Sequence, residues 1–368
     1  MREYDVHSPL VRLLGRMDES QNHVCMDWTG SGFEVLFQGT ELWAEVEATA
    51  AQPGMWLCGL VDGYPVTRFL APCERRWVPL VHGMSADHTR MVSLVKETQA
   101  MPGAPEATVH LHAIRCDGEL LPLPAPKKRI EFIGDSLTSA EGSLAPMGND
   151  EWLSMWFSAC ANYSHYACRE LNAERRVLSQ SGYGVCWDYQ GHREGNMADG
   201  YRKIAGVLKG EAAEARGCQK DYDFSAWPAD AVCIRLLSND VGGMRRMERV
   251  DELSGELVEG AARFICTVRE CNPAAKIVWL LPSSTTLPQL GVRAVDRARD
   301  EGVREVYAFS LPDYGPQDMG ARKHPNAAYN ERAGHALAEY MKILLSRESL
   351  PSETSEGRPG LWGNQLST

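Results

Sequence analysis

The first third of the chain alternates between short apolar runs and turn residues. Between Cys25 and Leu123 the runs carry β-branched and aromatic residues, and several of them alternate apolar with polar positions. Gly-Ser, Asp-Gly and Pro-Gly pairs separate the runs, and no segment of helical periodicity lies between them. This pattern predicts a β-sandwich of the jelly-roll type, which we assign to residues 1–124.

The pattern changes after the proline-rich linker Pro122–Pro126. Beyond it, short apolar segments alternate with segments of helical periodicity. We expect strands at 130–133, 176–178, 230–237, 276–281 and 306–311, and helices at 149–173, 246–271, 292–301 and 326–345. This alternation predicts a parallel sheet covered by helices on both faces, in an α/β domain of residues 125–347. Residues 348–368 are rich in Ser, Glu, Gly and Pro and are expected to form a flexible tail.

The composition narrows the classes of function. The chain has 368 residues, with 38 Lys and Arg against 49 Asp and Glu, and a formal net charge of −11. An acidic chain without a basic block is not expected to bind nucleic acid or an anionic membrane. The 11 cysteines include no CxxC pair, which favours reduced thiols. Neither a signal-peptide core nor a membrane-spanning apolar run is found, so a cytoplasmic location is expected.

Four segments carry residues with the potential for chemistry. Ser136 follows the first predicted strand of the sheet, Gly182 the second and Asn239 the third. His324 lies just before the last predicted helix. Because sites in open α/β sheets form outside the carboxyl ends of the strands, we expect these residues to meet at one edge.

Together these residue types suffice for acyl transfer. Ser136 is the expected nucleophile and His324 the general base, since a hydroxyl group needs a base to become nucleophilic. We expect the backbone N–H groups of Ser136 and Gly182 and the side-chain amide of Asn239 to hold the oxyanion, with Gly184 as an alternative to Gly182. This chemistry requires no metal and no organic cofactor.

The sequence around these residues resembles the SGNH (GDSL) hydrolases. FIGDSLTSAEG is similar to their nucleophile block, SQSGYG to their glycine block, LLSND to their asparagine block and HPN to their histidine block. The β-rich region ahead of KKRIEFIGDSLT, and the stretch DYDFSAWPADAVCIRLLSND, further resemble carbohydrate esterase family 2. The resemblance implies a three-layer, flavodoxin-like α/β hydrolase domain preceded by a jelly roll. It also implies hydrolysis of acetyl esters on a carbohydrate substrate.

The segment before the histidine departs from the family pattern. Many SGNH hydrolases have an Asp three residues before the histidine, where this chain has Ala321. We therefore expect a Ser-His dyad whose imidazole is oriented by a backbone carbonyl, an arrangement that the resemblance allows. Asp313 and Asp318 stay open as carboxylates that could reach back to the ring.

Several further residues have structural and functional interpretations that compete. Aromatic side chains near the site loops, which could contact a sugar ring or pack in the core, are Tyr183, Trp187, Tyr189 and Trp227. Asp135 and Asp240 are expected to hold loops through hydrogen bonds to the backbone. His110 and His112 alternate on one predicted strand, and we interpret them as exposed side chains rather than metal ligands.

Three alternatives to a sugar acetyl esterase remain open at this point. The same fold and nucleophile would serve a thioesterase or a short-chain lipid esterase. An inert site would leave a carbohydrate-binding protein. Transfer of acetyl groups between sugars would use the same covalent intermediate. The sequence predicts neither the sugar, the acetylated position nor the oligomeric state.

Overall fold

The computed structural model describes residues 1–126, 128–281 and 287–346. The predicted tail, 348–368, lies outside these residues. Short strands make up the first part of the chain. They are β1 Arg2–Asp5, β2 Val11–Leu14, β3 Val24–Cys25, β4 Gly32–Gln38, β5 Leu42–Ala48, β6 Trp56–Val61, β7 Tyr64–Leu70, β8 Arg76–Val81, β9 Arg90–Lys96, β10 Val109–Cys116 and β11 Glu119–Leu121.

These strands form two antiparallel sheets that pack face to face. One has the order β1-β10-β5-β8, with β3 also paired to β10, and the other has the order β11-β4-β9-β6-β7, with β2 paired to β4. Alternate residues of the strands point into a shared core, which includes Phe33, Val46, Leu57 and Leu111. The predicted β-sandwich is therefore confirmed.

The second part of the chain forms a parallel sheet with helices. Its strands are β12 Lys128–Gly134, β13 Ala173–Ser179, β14 Ala231–Arg235, β15 Lys276–Leu281 and β16 Val306–Ser310, in the order β13-β12-β14-β15-β16. Its helices are α1 Tyr163–Leu171, α2 Glu211–Ala215, α3 Ser238–Arg246, α4 Val250–Cys271, α5 Pro288–Asp300 and α6 Ala327–Ser346. This strand order is the flavodoxin-like one.

Helices cover both faces of the parallel sheet. One face packs Ile133, Ile234 and Trp279 into a core shared with α4 and α5. The opposite face packs Phe132 and Cys233 against α1 and α6. The three-layer α/β architecture expected from the sequence is confirmed. No helix in the described ranges is long and apolar enough to cross a membrane.

Two predicted helices are shorter in the structure than expected. The one expected over 149–173 is α-helical only from Tyr163 and has single 3-10 turns at Ser154–Trp156 and Ala159–Ala161 before it, because side chains there bind the backbone. Ser158 Oγ accepts a hydrogen bond from the N–H of Ala161 at 3.0 Å, and Asn162 Oδ1 accepts one from the N–H of Ser164 at 2.9 Å. The helix expected over 246–271 begins four residues later, at Val250, and Arg246 is instead the last residue of α3, a helix that the sequence did not predict.

The break between α3 and α4 falls at Glu248, which follows the end of α3. Its φ of 56° lies in the left-handed region, where the chain cannot continue a right-handed helix. The polypeptide therefore turns here and starts α4 at Val250.

A buried ion pair connects the β-sandwich to the parallel sheet. Arg16 lies 2.8 Å from Glu131 of β12, and the two side chains are 0% and 3% exposed. The hydroxyl of Tyr201 donates a further hydrogen bond to Glu131 at 2.7 Å. The guanidinium also faces the ring of Tyr222, 4.4 Å from its centroid. This pairing explains why Glu131 lies within the apolar segment 130–133 of the strand.

Candidate active site

The nucleophile loop follows β12 directly. Asp135 Oδ1 accepts a hydrogen bond from the N–H of Leu137 at 3.0 Å. The carbonyl of Asp135 accepts two more from Thr138 and Ser139, both at 3.0 Å. These bonds form a tight turn that holds Ser136, 8% exposed, at the carboxyl edge of the sheet. The loop-holding role expected of Asp135 is confirmed.

His324 lies against this serine. Its Nε2 atom is 2.8 Å from Ser136 Oγ, and its Nδ1 atom is 3.0 Å from the carbonyl oxygen of Arg322. A carbonyl can only accept, so Nδ1 carries the proton and Nε2 has a free lone pair. The ring is thus assigned the tautomer in which it can accept the serine proton.

Asp313 and Asp318, the two carboxylates that could have oriented the His324 ring, do not contact it. Asp318 Oδ2 accepts a hydrogen bond from the N–H of Gly315 at 3.0 Å and lies 3.0 Å from the guanidinium of Arg332. Within the described part of the chain, no contact joins Asp313 to the imidazole. A backbone carbonyl therefore takes the orienting position, as expected from the sequence.

The loop that ends at His324 has a strained backbone, and a hydrogen bond connects it to the loop that follows Ser136. Arg322 and Lys323 have φ angles of 54° and 59°, which are costly for residues with a side chain. The N–H of Ala321 bonds to the carbonyl of Gly142 at 3.0 Å. A Cβ atom on Gly142 would lie 2.4 Å from the Ala321 oxygen, so only glycine permits this approach.

The glycine and asparagine blocks face the same cavity as the dyad. Ser136, Gly182, Asn239 and His324 all line a space of about 570 Å³. Gly182 has a φ of 81°, and a Cβ atom there would lie 3.1 Å from the Tyr189 ring. The four blocks that are far apart in sequence are therefore adjacent in space.

Gly184, the alternative to Gly182, is engaged elsewhere. Its N–H bonds to the carbonyl of Gly195 at 3.3 Å. A Cβ atom on Gly184 would lie 2.3 Å from Asp240 Oδ2, so the residue packs against a carboxylate rather than facing the cavity. On the asparagine side, the Asn239 amide donates to the carbonyl of Tyr183 at 2.9 Å, which leaves its second N–H for another acceptor.

Asp240 fixes the glycine loop. Its carboxylate accepts hydrogen bonds from three consecutive backbone N–H groups, at 2.9 Å from Val185, 2.7 Å from Cys186 and 3.0 Å from Trp187. This confirms the expected structural role of Asp240. The same contacts connect the loop after β13 to the start of α3, so the positions of Gly182 and Asn239 depend on each other.

Glu141 is a site residue that sequence reasoning missed. Its side chain is 4% exposed, and its Oε2 lies 3.9 Å from His324 Nε2. Its Oε1 lies 3.3 Å from the Arg322 guanidinium, and the Ser181 hydroxyl donates a hydrogen bond to its Oε2. Burial lowers the pKa of His324, and the negative charge of Glu141 raises it. The residue stands within the FIGDSLTSAEG block, which was its only signal.

The β-sandwich forms part of the cavity wall. The residues it contributes are Pro53, Gln99, Met101, Pro102, Gly103 and Ala104. Gln99 Oε1 accepts a hydrogen bond from the backbone N–H of Ser181 at 2.8 Å, and the Ser181 hydroxyl oxygen lies 2.8 Å from the same atom. The sandwich thus binds the glycine loop directly and shapes the space in front of the dyad.

Comparison with known proteins gives a consistent group of relatives, although no family model matches. The chain is 29% identical over 358 residues to the cellulase/esterase CelE of Acetivibrio thermocellus, covering 93% of this chain but only 40% of that protein. It is 27% identical to an acetyl xylan esterase, Est2A, from the rumen bacterium Butyrivibrio proteoclasticus, with a TM-score of 0.89 and coverage of 94% and 99%. These likenesses confirm the resemblance to carbohydrate esterase family 2. A family two carbohydrate esterase from Clostridium thermocellum, solved with cellohexaose, shares the fold at 24% identity, with a TM-score of 0.76 and coverage of 91% and 99%.

The aromatic residues near the site loops are divided between the core and the cavity. Trp187 and Trp227 are 2% and 5% exposed in the core beneath the sheet, so the structure does not bring them to the cavity. Tyr183 lines a neighbouring space instead. Tyr189, 44% exposed, and Trp152, 37% exposed, do line the cavity. Trp152 was missed because its segment was predicted to be helical.

Proposed function

We propose that the chain is a carbohydrate acetyl esterase that removes O-acetyl groups from sugars through a serine acyl-enzyme. The observation that carries the proposal is the 2.8 Å contact between Ser136 Oγ and His324 Nε2, made in a cavity that Gly182 and Asn239 also line. Relatives named as acetyl xylan esterase and cellulase/esterase support the substrate class. The chain spans 40% of the length of CelE, so the assignment concerns this region alone.

Acylation begins when Ser136 Oγ attacks the acetyl carbonyl carbon and its proton passes to His324 Nε2. The carbonyl π bond opens, and its electron pair forms the oxyanion. The N–H groups of Ser136 and Gly182 and the Asn239 amide stabilise that charge, each contributing roughly 10²–10³-fold in rate. The intermediate collapses, the bond to the sugar oxygen breaks, and this oxygen takes the proton from His324.

Deacylation repeats the same steps with water. His324 takes a proton from water as its oxygen attacks the acetyl-serine, and the same three donors hold the second oxyanion. Collapse releases acetate and returns the proton to Ser136. Atoms and electrons balance with the ester and water alone, so the proposed reaction calls for no cofactor.

The proposal includes a division of labour between two parts of the chain. Residues 1–124 form the β-sandwich, which supplies the wall that contains Gln99. Residues 125–347 form the hydrolase domain, which supplies all the reacting groups. The acetylated carbohydrate enters between them, where the exposed rings of Trp152 and Tyr189 offer apolar faces to a sugar. The cytoplasmic location stays a prediction, which fractionation of the source cells would check.

The test is mass spectrometry of deacetylation on defined acetylated xylan, mannan and cellulose oligosaccharides. We expect the wild-type protein to remove acetyl groups and Ser136→Ala to lose at least about 10³-fold in rate. Ser225→Ala, at an exposed serine, is the matched control and should keep full activity. Equal rates for wild type and Ser136→Ala would exclude the mechanism.

Nitrophenyl esters of increasing length separate the remaining enzyme classes. A preference for acetate supports the sugar acetyl esterase, and a preference for butyrate or longer chains would favour a thioesterase or lipid esterase. Binding of oligosaccharides without turnover would indicate a carbohydrate-binding protein. Acetyl transfer to a competing sugar acceptor would indicate transacetylation rather than hydrolysis.

A further inference from the structure

Three histidines and one glutamate meet on the outer face of the β-sandwich. His110 and His112 lie two residues apart on β10, beside His23 and the Glu47 carboxylate of β5. The expectation that His110 and His112 are exposed is wrong, because both are half-buried in this cluster. The sequence could not show it, since pairing of β10 with β3 and β5 brings together residues from three distant segments.

Sheet register determines the arrangement of the cluster. His110 is paired with Glu47 on one side and with Cys25 on the other. The ladder is irregular between Leu111 and Ala113, and His112 is the extra residue of that bulge. A bulge of this kind redirects a side chain, and here it leaves His112 Nε2 3.3 Å from Glu47 Oε2.

The nitrogen atoms of the cluster are available as ligands. His110 Nε2 is buried without a hydrogen-bond partner among the described residues. Imidazole binds a metal through a nitrogen lone pair, and a buried ring nitrogen without a hydrogen-bond partner can supply one. An orphaned buried nitrogen is costly unless something occupies it.

We propose that this cluster is a binding site for a divalent transition metal ion of the Zn²⁺ class, held by His23, His110, His112 and Glu47. Potential ligand atoms of Glu47, His110 and His112 all lie within 4.8 Å of one another. Two imidazoles on one tetrahedral ion have ring centroids about 5 Å apart, given Zn–N bonds of about 2.0–2.1 Å. The observed centroid separations are 4.3, 5.3 and 5.9 Å.

Two other groups lie near the four proposed ligands. The Sγ atom of Cys25 lies within 4.8 Å of potential ligand atoms of His23 and His110, so this thiol is an alternative ligand on the same ion. Arg75 is a nearby positive charge, and it is held by the Glu45 carboxylate at 2.6 Å. The ion would join β5, β10 and the segment before β3, and none of its ligands lines the catalytic cavity. The site is therefore structural and independent of the proposed esterase activity.

A second cluster of potential ligands, Cys58, Glu97 and Cys160, competes for the same ion. It is less suitable, because Glu97 already binds Arg68 at 2.7 Å and Ser158 at 2.9 Å. The test must therefore distinguish the two clusters rather than detect metal binding alone.

The experiment is isothermal titration of the chelator-treated full chain with ZnCl₂, together with Co²⁺ absorption spectra and thermal unfolding. We expect one ion per chain at the cluster, an intense tetrahedral Co²⁺ spectrum and a Zn²⁺-dependent rise in melting temperature. His110→Ala and Glu47→Gln should each weaken binding at least about tenfold and reduce the thermal shift. His82→Ala is the matched control, since His82 is an exposed histidine 3.1 Å from Glu41, and it should bind as the wild type does.

Three results would overturn the proposal. The first is the absence of Zn²⁺ binding to the chelated wild-type chain. The second is unchanged binding in both His110→Ala and Glu47→Gln, which would place the ion elsewhere. The third is loss of binding in Cys58→Ser alone, which would assign the ion to the competing cluster. Far-ultraviolet circular dichroism of each variant shows whether it is folded, and Glu47→Gln keeps the shape of the side chain if His110→Ala does not fold.

Discussion

Glu141→Gln tests whether a buried carboxylate supports the catalytic histidine. When His324 takes the serine proton it becomes positively charged, 3.9 Å from Glu141 Oε2. Two unit charges at that distance attract by about 1 kcal/mol in water and by about 4 kcal/mol at an effective dielectric constant of about 20. Because each 1.36 kcal/mol is tenfold in rate, removing the charge should lower kcat/KM by roughly 5- to 10³-fold.

The pH profile of kcat/KM should shift in a defined direction in this variant. The base must be neutral to accept the serine proton, so activity is lost as pH falls through the pKa of His324. Glu141 raises that pKa, and Glu141→Gln should therefore shift the acid limb of the kcat/KM profile to lower pH. The plateau should fall at the same time, because the imidazolium formed in the transition state loses its counter-charge. Glutamine can still accept the hydrogen bond from Ser181, so the loop should stay in place.

The assay is a series of kcat/KM measurements on p-nitrophenyl acetate from pH 4 to pH 9 (about half-unit steps resolve the limb). Glu151→Gln, at an exposed glutamate, is the matched control and should follow the wild-type curve. A Glu141→Gln variant with an unchanged acid limb and a plateau within about twofold of the wild type would refute the electrostatic argument. A shift of the acid limb to higher pH would refute its sign.

Three further predictions address the oxyanion site, the buried ion pair and acid stability. Asn239→Ala should lower kcat on p-nitrophenyl acetate by about 10²–10³-fold with little change in KM, and a change confined to KM would contradict the oxyanion role. Glu131→Gln should destabilise the fold by about 3–5 kcal/mol in urea unfolding, because Arg16 would be left buried and uncompensated, whereas replacing both residues by apolar ones should recover much of the loss. Burial lowers the pKa of His165 to about 3, so stability that is complete above about pH 6.5 should decline as pH falls towards 3, and His165→Gln should flatten that decline in unfolding midpoints.

Hydrophobic periodicity predicted the fold class, because sandwich strands, buried parallel strands and covering helices each have a different spacing of apolar residues. The strand Lys276–Leu281 was located to the residue, since a continuous apolar run between a turn and a loop has few alternatives. The segment before Tyr163 was misjudged because Ser158 and Asn162 bind backbone groups locally, which periodicity does not register. The start of α4 was placed four residues too early, because periodicity does not register the left-handed residue Glu248 that precedes the helix.

The reacting groups were predictable and their environment was not. Ser136, Gly182, Asn239 and His324 each follow a strand or precede a helix in a recognisable block, and the structure places them around one cavity. The sequence gives no distances between segments, so it could not show that Glu141 lies 3.9 Å from the imidazole. For the same reason it could not separate Trp187, which is buried, from exposed rings that face the cavity.

The cavity exists only because the two halves of the chain pack together. The hydrolase sheet supplies the dyad, but Gln99 of the sandwich accepts the backbone hydrogen bond of Ser181 and thereby fixes the loop that presents Gly182. Removing the sandwich would also take away Arg16, the ion-pair partner of Glu131. The hydrolase half by itself would therefore lose a cavity wall, an anchor of the glycine loop and the partner of a buried charge. Gln99→Ala isolates the second of these losses, and it should reduce kcat while the fold stays intact.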